Sequence, residues 1–240
     1  MEFEDTKKRA SEYKFTTAQK IAASPAKTGN IPRVKVARMD CLKAAELFAC
    51  KGVKPTLLNF ANNETPGGST KIKGNTQEEQ IFKRSNACLS LVPSLYPIDG
   101  AEEKEPSLLL SETVTVFKGT SRPFEMSLVS CAAIKLPSTR MDGDGYYFRK
   151  DAERDITELK MRVILASAPT NVLILGAWGL GAFAGPLEGT VDLWKKVIRD
   201  GYAAKCVSHV LFAIYSPDKE EETRLAKAFA PLGRINARRG

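Results

Sequence analysis

Two adjacent carboxylates, Glu78 and Glu79, follow a segment rich in asparagine and glycine, Asn59-Phe60-Ala61-Asn62-Asn63-Glu64-Thr65-Pro66-Gly67-Gly68-Ser69. If partly desolvated, two such groups repel, and the repulsion raises one proton affinity. A carboxyl group of raised pKa is what a general acid for a glycosidic oxygen requires. The start of a helix, where Gln77-Glu78-Glu79 falls, opposes that shift through its dipole. The same residues also fit a purely structural role, because Thr76 and Glu79 have the spacing of a capping box. The two roles compete for one side chain, and the local pattern leaves both open.

A second glycine-bearing segment is Gly176-Ala177-Trp178-Gly179-Leu180-Gly181-Ala182-Phe183. Like the first, it follows an apolar stretch and precedes a helical pattern. Glycine lets the backbone approach a ligand without a Cβ clash, and successive N–H groups can then converge on phosphate oxygens. A helix starting just beyond adds favourable charge. Gly176, Gly179 and Gly181 do not spell the dinucleotide fingerprint, and no GK[ST] follows Gly67–Gly74, so neither common phosphate motif is present. Tight turns for chain reversal account for these glycines as well as an anion site does.

The elements that would position both segments follow from periodicity. Pro55–Phe60, with Leu57, Leu58 and Phe60, and Asn171–Leu175 read as apolar strands. Val34–Ala37, Thr113–Phe117, Met126–Leu136 and Lys205–Tyr215 are further strands. Helices are predicted from an Asp40 N-cap to about Lys51 and from Thr76 through Leu89. Others start near Asp151, around Val191–Ile198 with Trp194 in the core, and over Glu220–Phe229. Strands repeatedly followed by helices imply a mostly parallel sheet covered on both faces. Ligands bind such sheets beyond the carboxyl ends of the strands, where both glycine segments fall. Residues 5–22 read as a weakly patterned helix, 99–112 as a charged surface excursion, and Pro137–Tyr147 as a loop long enough to lie over a site. The chain divides into an N-terminal helical extension and linker, residues 1–33, and one domain, residues 34–240.

Composition narrows the class. Hydrophobic residues make up 43% and charged residues 27%, a balance that excludes wholesale disorder. No apolar run is long enough to cross a bilayer, and Met1–Arg9 lacks the apolar core of a secretory signal. An intracellular protein, cytoplasmic or nuclear, is expected. The five cysteines are widely spaced without a CxxC pair, and His209 is the single histidine, so no zinc site is expected. His209 reads as a core polar group of its strand and Trp178 as a buttress beneath its loop. A net charge of +8 favours anionic partners of any kind, nucleotide or nucleic acid. Arg234, Arg238 and Arg239 fit a basic tail or a plain solvated end.

Taken with their order, Asn59-Phe60-Ala61-Asn62, Pro66-Gly67-Gly68-Ser69, Gly74 and Gln77-Glu78-Glu79, followed by Leu175 through Phe183, resemble the bacterial-type poly(ADP-ribose) glycohydrolases of the macrodomain superfamily. The resemblance covers roughly residues 34–215. It implies a three-layer α/β/α macrodomain-like fold with a mixed central sheet and an ADP-ribose cleft at its crest. It assigns Glu79 as the catalytic glutamate, Glu78 as its ribose-positioning partner and Asn62 as a ribose contact. Gly67, Gly68 and Ser69 become the catalytic glycine loop. Gly179, Leu180, Gly181 and Ala182 become the diphosphate loop, with Phe183 packing near the ribose. Ser69 replaces a third glycine, and Leu180 stands where the family commonly has cysteine.

The activity implied is hydrolysis of the ribose glycosidic bond of poly(ADP-ribose), releasing ADP-ribose, with neither metal nor redox cofactor. The partner implied is ADP-ribose or poly(ADP-ribose) as substrate, with ADP-ribosylated proteins as a further candidate. Direct nucleic-acid binding is left open, and no membrane partner is expected. Two alternatives stand beside it: removal of single ADP-ribose groups from protein or nucleic acid, and non-catalytic binding of ADP-ribose. Tyr146, Tyr147 and Phe148 are candidates for a border of the adenine pocket.

Overall fold

A computed structural model describes residues 3–22, 24–68, 75–99 and 106–235. Ser69 and Gly74 of the first glycine segment, and Arg238 and Arg239, lie outside the described residues. Seven strands form one sheet in the order β1 (Gln19–Ala22), β4 (Ser107–Val116), β5 (Phe124–Cys131), β3 (Thr56–Phe60), β8 (Val172–Leu175), β9 (His209–Ile214) and β2 (Arg33–Arg38). From β5 to β2 all neighbours are parallel, while β1–β4 and β4–β5 are antiparallel. The sheet is therefore mixed.

Alternating side chains build the two outer layers, because successive residues of a strand face opposite ways. Leu58, Val129, Leu173, Leu175 and Phe212 bury one face beneath α5 (Asp151–Ser167), α6 (Leu187–Arg199) and α7 (Lys219–Phe229). Leu57, Leu128, Val172 and Ile174 bury the other beneath α2 (Cys41–Ala49), α3 (Gln77–Arg84) and α4 (Ala87–Ser90). Covering both faces is why β8 reads as a continuous apolar run and why β3 carries Leu57 and Leu58 side by side on opposite faces. The result is the three-layer macrodomain-like arrangement.

Several elements differ from expectation. Within residues 5–22 only α1 (Phe3–Ala10) is helical, and Gln19–Ala22 forms the edge strand β1 on β4. Residues 106–112, expected on the surface, lie in or beside β4, with Leu108 and Leu109 fully buried. The loop expected over Pro137–Tyr147 is mostly the hairpin β6 (Thr139–Asp142) and β7 (Gly145–Phe148), which packs on α6. The expected helix through Leu89 breaks at Ser85, whose hydroxyl turns back onto the Ile81 carbonyl at 2.7 Å. His209 is half-exposed at the start of β9, its Nδ1 2.8 Å from Ser208 Oγ, and so is not a core group. Among the described residues, no helix is long and apolar enough to cross a membrane.

Candidate active site

Five strands end at one cleft. Residues that line it follow β2 (Asp40, Cys41), β3 (Ala61, Asn62, Gly68), β5 (Ala133, Lys135), β8 (Ala177 to Phe183) and β9 (Tyr215, Ser216, Pro217). The first turn of α3 completes the wall. The cleft encloses about 480 Å³, within the range of small-molecule sites. Both glycine segments face it, at the carboxyl ends of the parallel strands as the topology requires.

The segment after β3 is folded by its own polar side chains. Asn62 Oδ1 accepts the Glu64 and Thr65 N–H groups at 2.8 and 2.9 Å, closing an Asx turn. Gly67 and Gly68 then take φ of +74° and +52°, the left-handed region that costs an L-residue roughly 1–2 kcal/mol. A Cβ on Gly68 would lie 3.2 Å from Glu78 Oε2 and 3.5 Å from Glu79 Oε1, so both carboxylates converge beneath this turn.

The Gln77-Glu78-Glu79 triplet divides three tasks. Gln77 mimics a strand: its Oε1 accepts the Phe60 N–H at 2.9 Å, and its Nε2 donates to the Leu58 carbonyl at 2.7 Å. This bolts α3 to the end of β3. Glu78 gathers the glycine turn, accepting the Asn62 N–H at 2.8 Å and, on its other oxygen, Asn59 Nδ2 and the Gly67 N–H, each at 3.3 Å. Glu79 Oε2 accepts the Thr76 N–H at 2.5 Å, so the capping geometry is realised, while Oε1 lies toward Gly68. The cap does not turn the carboxylate away from the cleft; it fixes the end that faces α3.

Both carboxylates are only 3% exposed. Burial pushes Glu78 up to about 7; its three donors act in the opposite direction, and repulsion from Glu79 adds a smaller rise. Two polar atoms near this carboxylate are buried without a partner among the described residues, Asn59 Oδ1 and Tyr96 Oη. The Glu78 charge and burial together hold the Tyr96 phenol well above its ordinary value, burial being the larger cause.

The opposite wall is the segment after β8. Gly179 has φ of +78°, and a Cβ there would lie 3.0 Å from the Ala133 Cβ. Gly181 and Ala182 are exposed at the rim, and Phe183 is half-buried with its carbonyl accepting the Leu136 N–H at 2.9 Å. Leu180 turns its side chain into the core, leaving its backbone to the cleft. Trp178 is 1% exposed; its Nε1 donates to the Cys131 carbonyl at 2.9 Å, and its ring meets Trp194 edge-on at 6.2 Å. It buttresses the loop from below, as expected.

The structure thus brings Asn62, Gly68, Glu78, Glu79 and Gly179 to Phe183 to one cavity, with Gly67 behind Gly68 in the same turn. Tyr146, Tyr147 and Phe148 do not line it; they lie on β7 against α6, where Gly145 and Gly189 admit the strand closely. Asp40, Cys41 and Tyr215 line the cleft and escaped the sequence. Asp40 was legible only as the cap that accepts the Lys43 N–H at 2.9 Å, and Tyr215 only as the end of an apolar strand. Among the described residues no cluster of side chains could hold a metal ion.

An acidic pair beside a glycine-lined, nucleotide-sized cleft, at the strand ends of a mixed three-layer sheet, is a macrodomain-like arrangement. Residues 2–119 match the microbial-type PARG catalytic domain, and the chain is similar to that family of poly(ADP-ribose) glycohydrolases, a likeness that supports an enzyme of the ADP-ribosyl hydrolase type. The fold is shared with the poly(ADP-ribose) glycohydrolase of Thermomonospora curvata, at 20% identity and TM-score 0.71 over 95% of this chain and 97% of that one. The same enzyme bound to the inhibitor ADP-HPD aligns at 18% identity and TM-score 0.71, over 96% of this chain and 97% of that one. The poly(ADP-ribose) glycohydrolase of Deinococcus radiodurans, in complex with ADP-ribose, aligns at 19% identity and TM-score 0.66, over 95% and 88%. No curated protein sequence matches the chain significantly.

Proposed function

We propose that the protein hydrolyses the ribose glycosidic bond of poly(ADP-ribose), releasing ADP-ribose, with Glu79 as general acid. The observation that carries this is the convergence of Glu78 and Glu79 beneath Gly68, at one end of a cleft whose other wall is the Gly179–Phe183 turn. In this reading the diphosphate lies along Gly179, Leu180, Gly181 and Ala182, where backbone N–H groups can receive its charge without a side-chain clash. The distal ribose then lies between Phe183 and the Asn62–Gly68 turn. Binding energy from the nucleotide orients the anomeric carbon.

The proton on the Glu79 carboxyl passes to the departing oxygen as the C1″–O bond breaks. The oxocarbenium-like centre that forms is stabilised by the resulting carboxylate and the nearby diphosphate. A water molecule attacks C1″ and returns its proton to Glu79, which restores the acid. Glu78, committed to the Asn62 and Gly67 N–H groups, sets the shape of the turn on which the ribose rests. Asn62 borders the same ribose, with Gly67 and Gly68 giving the close backbone approach.

The test is product analysis after incubation with poly(ADP-ribose) and, separately, with proteins carrying single ADP-ribose groups on serine, arginine or acidic side chains. Free ADP-ribose from the polymer is the expected result. Release only from singly modified proteins would replace the polymer reading with a mono-ADP-ribosyl hydrolase. Tight binding of ADP-ribose with no release from any substrate would leave only a binding module.

A further inference from the structure

Beneath the cleft lies an ion pair that the chemistry above does not use. Lys160 of α5 and Asp99 meet at 2.5 Å with side chains 3% and 1% exposed. Lys160 Nζ also donates to the Ala132 carbonyl at 2.8 Å, immediately before cleft-lining Ala133. Asp99 in turn holds the loop after β3: its N–H donates to Asn63 Oδ1 at 3.0 Å, and the Ile98 N–H donates to the Asn63 carbonyl at 3.0 Å. Its carboxylate is steadied by the Ser107 N–H at 3.0 Å. One residue before Ala132, the Cys131 carbonyl accepts both the Ala61 N–H at 3.2 Å and Trp178 Nε1 at 2.9 Å. The end of β5 therefore touches both walls of the cleft, and Lys160 ties that end to the segment gripping Asn63.

We propose that Lys160, through Asp99, is a positioning residue that fixes the spacing between the Asn62–Gly68 turn and the Gly179–Phe183 turn; its effect on turnover rests on the function proposed above. A buried pair of charges costs more desolvation than packed apolar residues of the same size. Filling space would not require it. The pair instead adds directional bonds between the end of β5 and the segment that grips Asn63, and transition-state alignment is sensitive to errors of an ångström.

The test compares Lys160→Met with the double variant Lys160→Met/Asp99→Asn, which removes both charges but keeps an acceptor for Ser107. The single variant leaves a buried carboxylate unpaired and loses thermal stability. The double variant regains most of that stability, yet its kcat on poly(ADP-ribose) stays at least about tenfold down, with KM within about twofold of wild type. Amide exchange over residues 61–68 rises in the double variant while protection of β3 and β8 is unchanged. Recovery of kcat together with stability, or unchanged exchange over 61–68, overturns the proposal. Should the double variant not fold, Asp99→Asn alone decides by the same exchange reading: a rise over 61–68 supports the strut and no change overturns it. If wild-type protein leaves the polymer intact, the proposed function fails, and exchange still decides whether Lys160 positions the turn.

Discussion

At the scale of single residues, the triplet shows how three neighbouring side chains divide the work of holding one turn. Gln77 spends both ends of its amide on β3, so Gln77→Glu removes the donor to Leu58 and sets a carboxylate oxygen against that carbonyl. Glu78 carries a pH signature. Its native carboxyl titrates near 7, against an ordinary value of 4.5, so between those values the folded state holds a proton that the unfolded state has released. Stability from this group is complete below the unfolded value and is lost as pH rises through about 7. The melting temperature of wild type should therefore fall relative to that of Glu78→Gln across that window, apart from any constant offset from the amide. A parallel pair of melting curves would remove Glu78 as the titrating group. Gly68→Ala places a methyl 3.2 Å from Glu78 Oε2 at a left-handed φ, and its strain of roughly 1–2 kcal/mol falls on the turn above the two carboxylates. A loss of turnover well beyond the loss of stability is expected, read by kcat beside the melting curve.

At the scale of elements, the two turns invite opposite experiments. A Cβ on Gly179 meets Ala133 at 3.0 Å at positive φ, so Gly179→Ala disturbs the protein itself. A Cβ on Gly181 meets nothing within 4 Å, so Gly181→Ala should melt like wild type. If the diphosphate lies along this turn, that same methyl meets the ligand, and ADP-ribose affinity measured by calorimetry should drop at least about tenfold, roughly 1.4 kcal/mol. Unchanged affinity would move the diphosphate elsewhere. What the sequence discloses at this scale follows from burial. β3 and β8 are apolar on both faces and announce themselves, and the glycine turns follow them in register. β4 is concealed because the acidic run Glu102, Glu103 and Glu105 precedes it and its own Ser107, Ser111, Thr113 and Thr115 are polar. Those side chains are buried against distant partners, Ser111 on Ser90 and Thr115 on the Lys14 carbonyl, and no local pattern reports such pairing. β1 is hidden for a different reason: a four-residue edge strand, mostly exposed, needs no apolar alternation.

At the scale of the whole molecule, the cleft is the meeting point of five strand ends, and which ends meet is a matter of strand order. The motif residues of the site were legible because they lie in two compact segments. Asp40 and Tyr215 were not, since β2 and β9 become neighbours only when the far end of the chain pairs back beside the first parallel strand. The segment before residue 33 also belongs to this architecture, because β1 shields the Leu108–Leu110 edge of β4. Removing residues 1–22 should lower the melting temperature and promote self-association, visible by light scattering, as an uncovered strand edge does. A truncated protein that stays monomeric and equally stable would show that the edge needs no cover. The net charge of +8 should act before any contact forms, so the apparent KM for polymer should rise with ionic strength while kcat changes little.

Glu79 is proposed to deliver the proton that frees the leaving oxygen. The most direct measurement sets Glu79→Gln beside wild type, with poly(ADP-ribose) cleavage and ADP-ribose affinity determined on the same preparations. The amide still offers an oxygen to the Thr76 N–H, so the cap can persist while the acid is gone. The expected result is a fall in turnover of at least about a hundredfold, as loss of a general acid implies, with ADP-ribose bound within a few-fold of wild type. Full turnover in Glu79→Gln would remove Glu79 from the proton transfer and leave it as a helix cap alone.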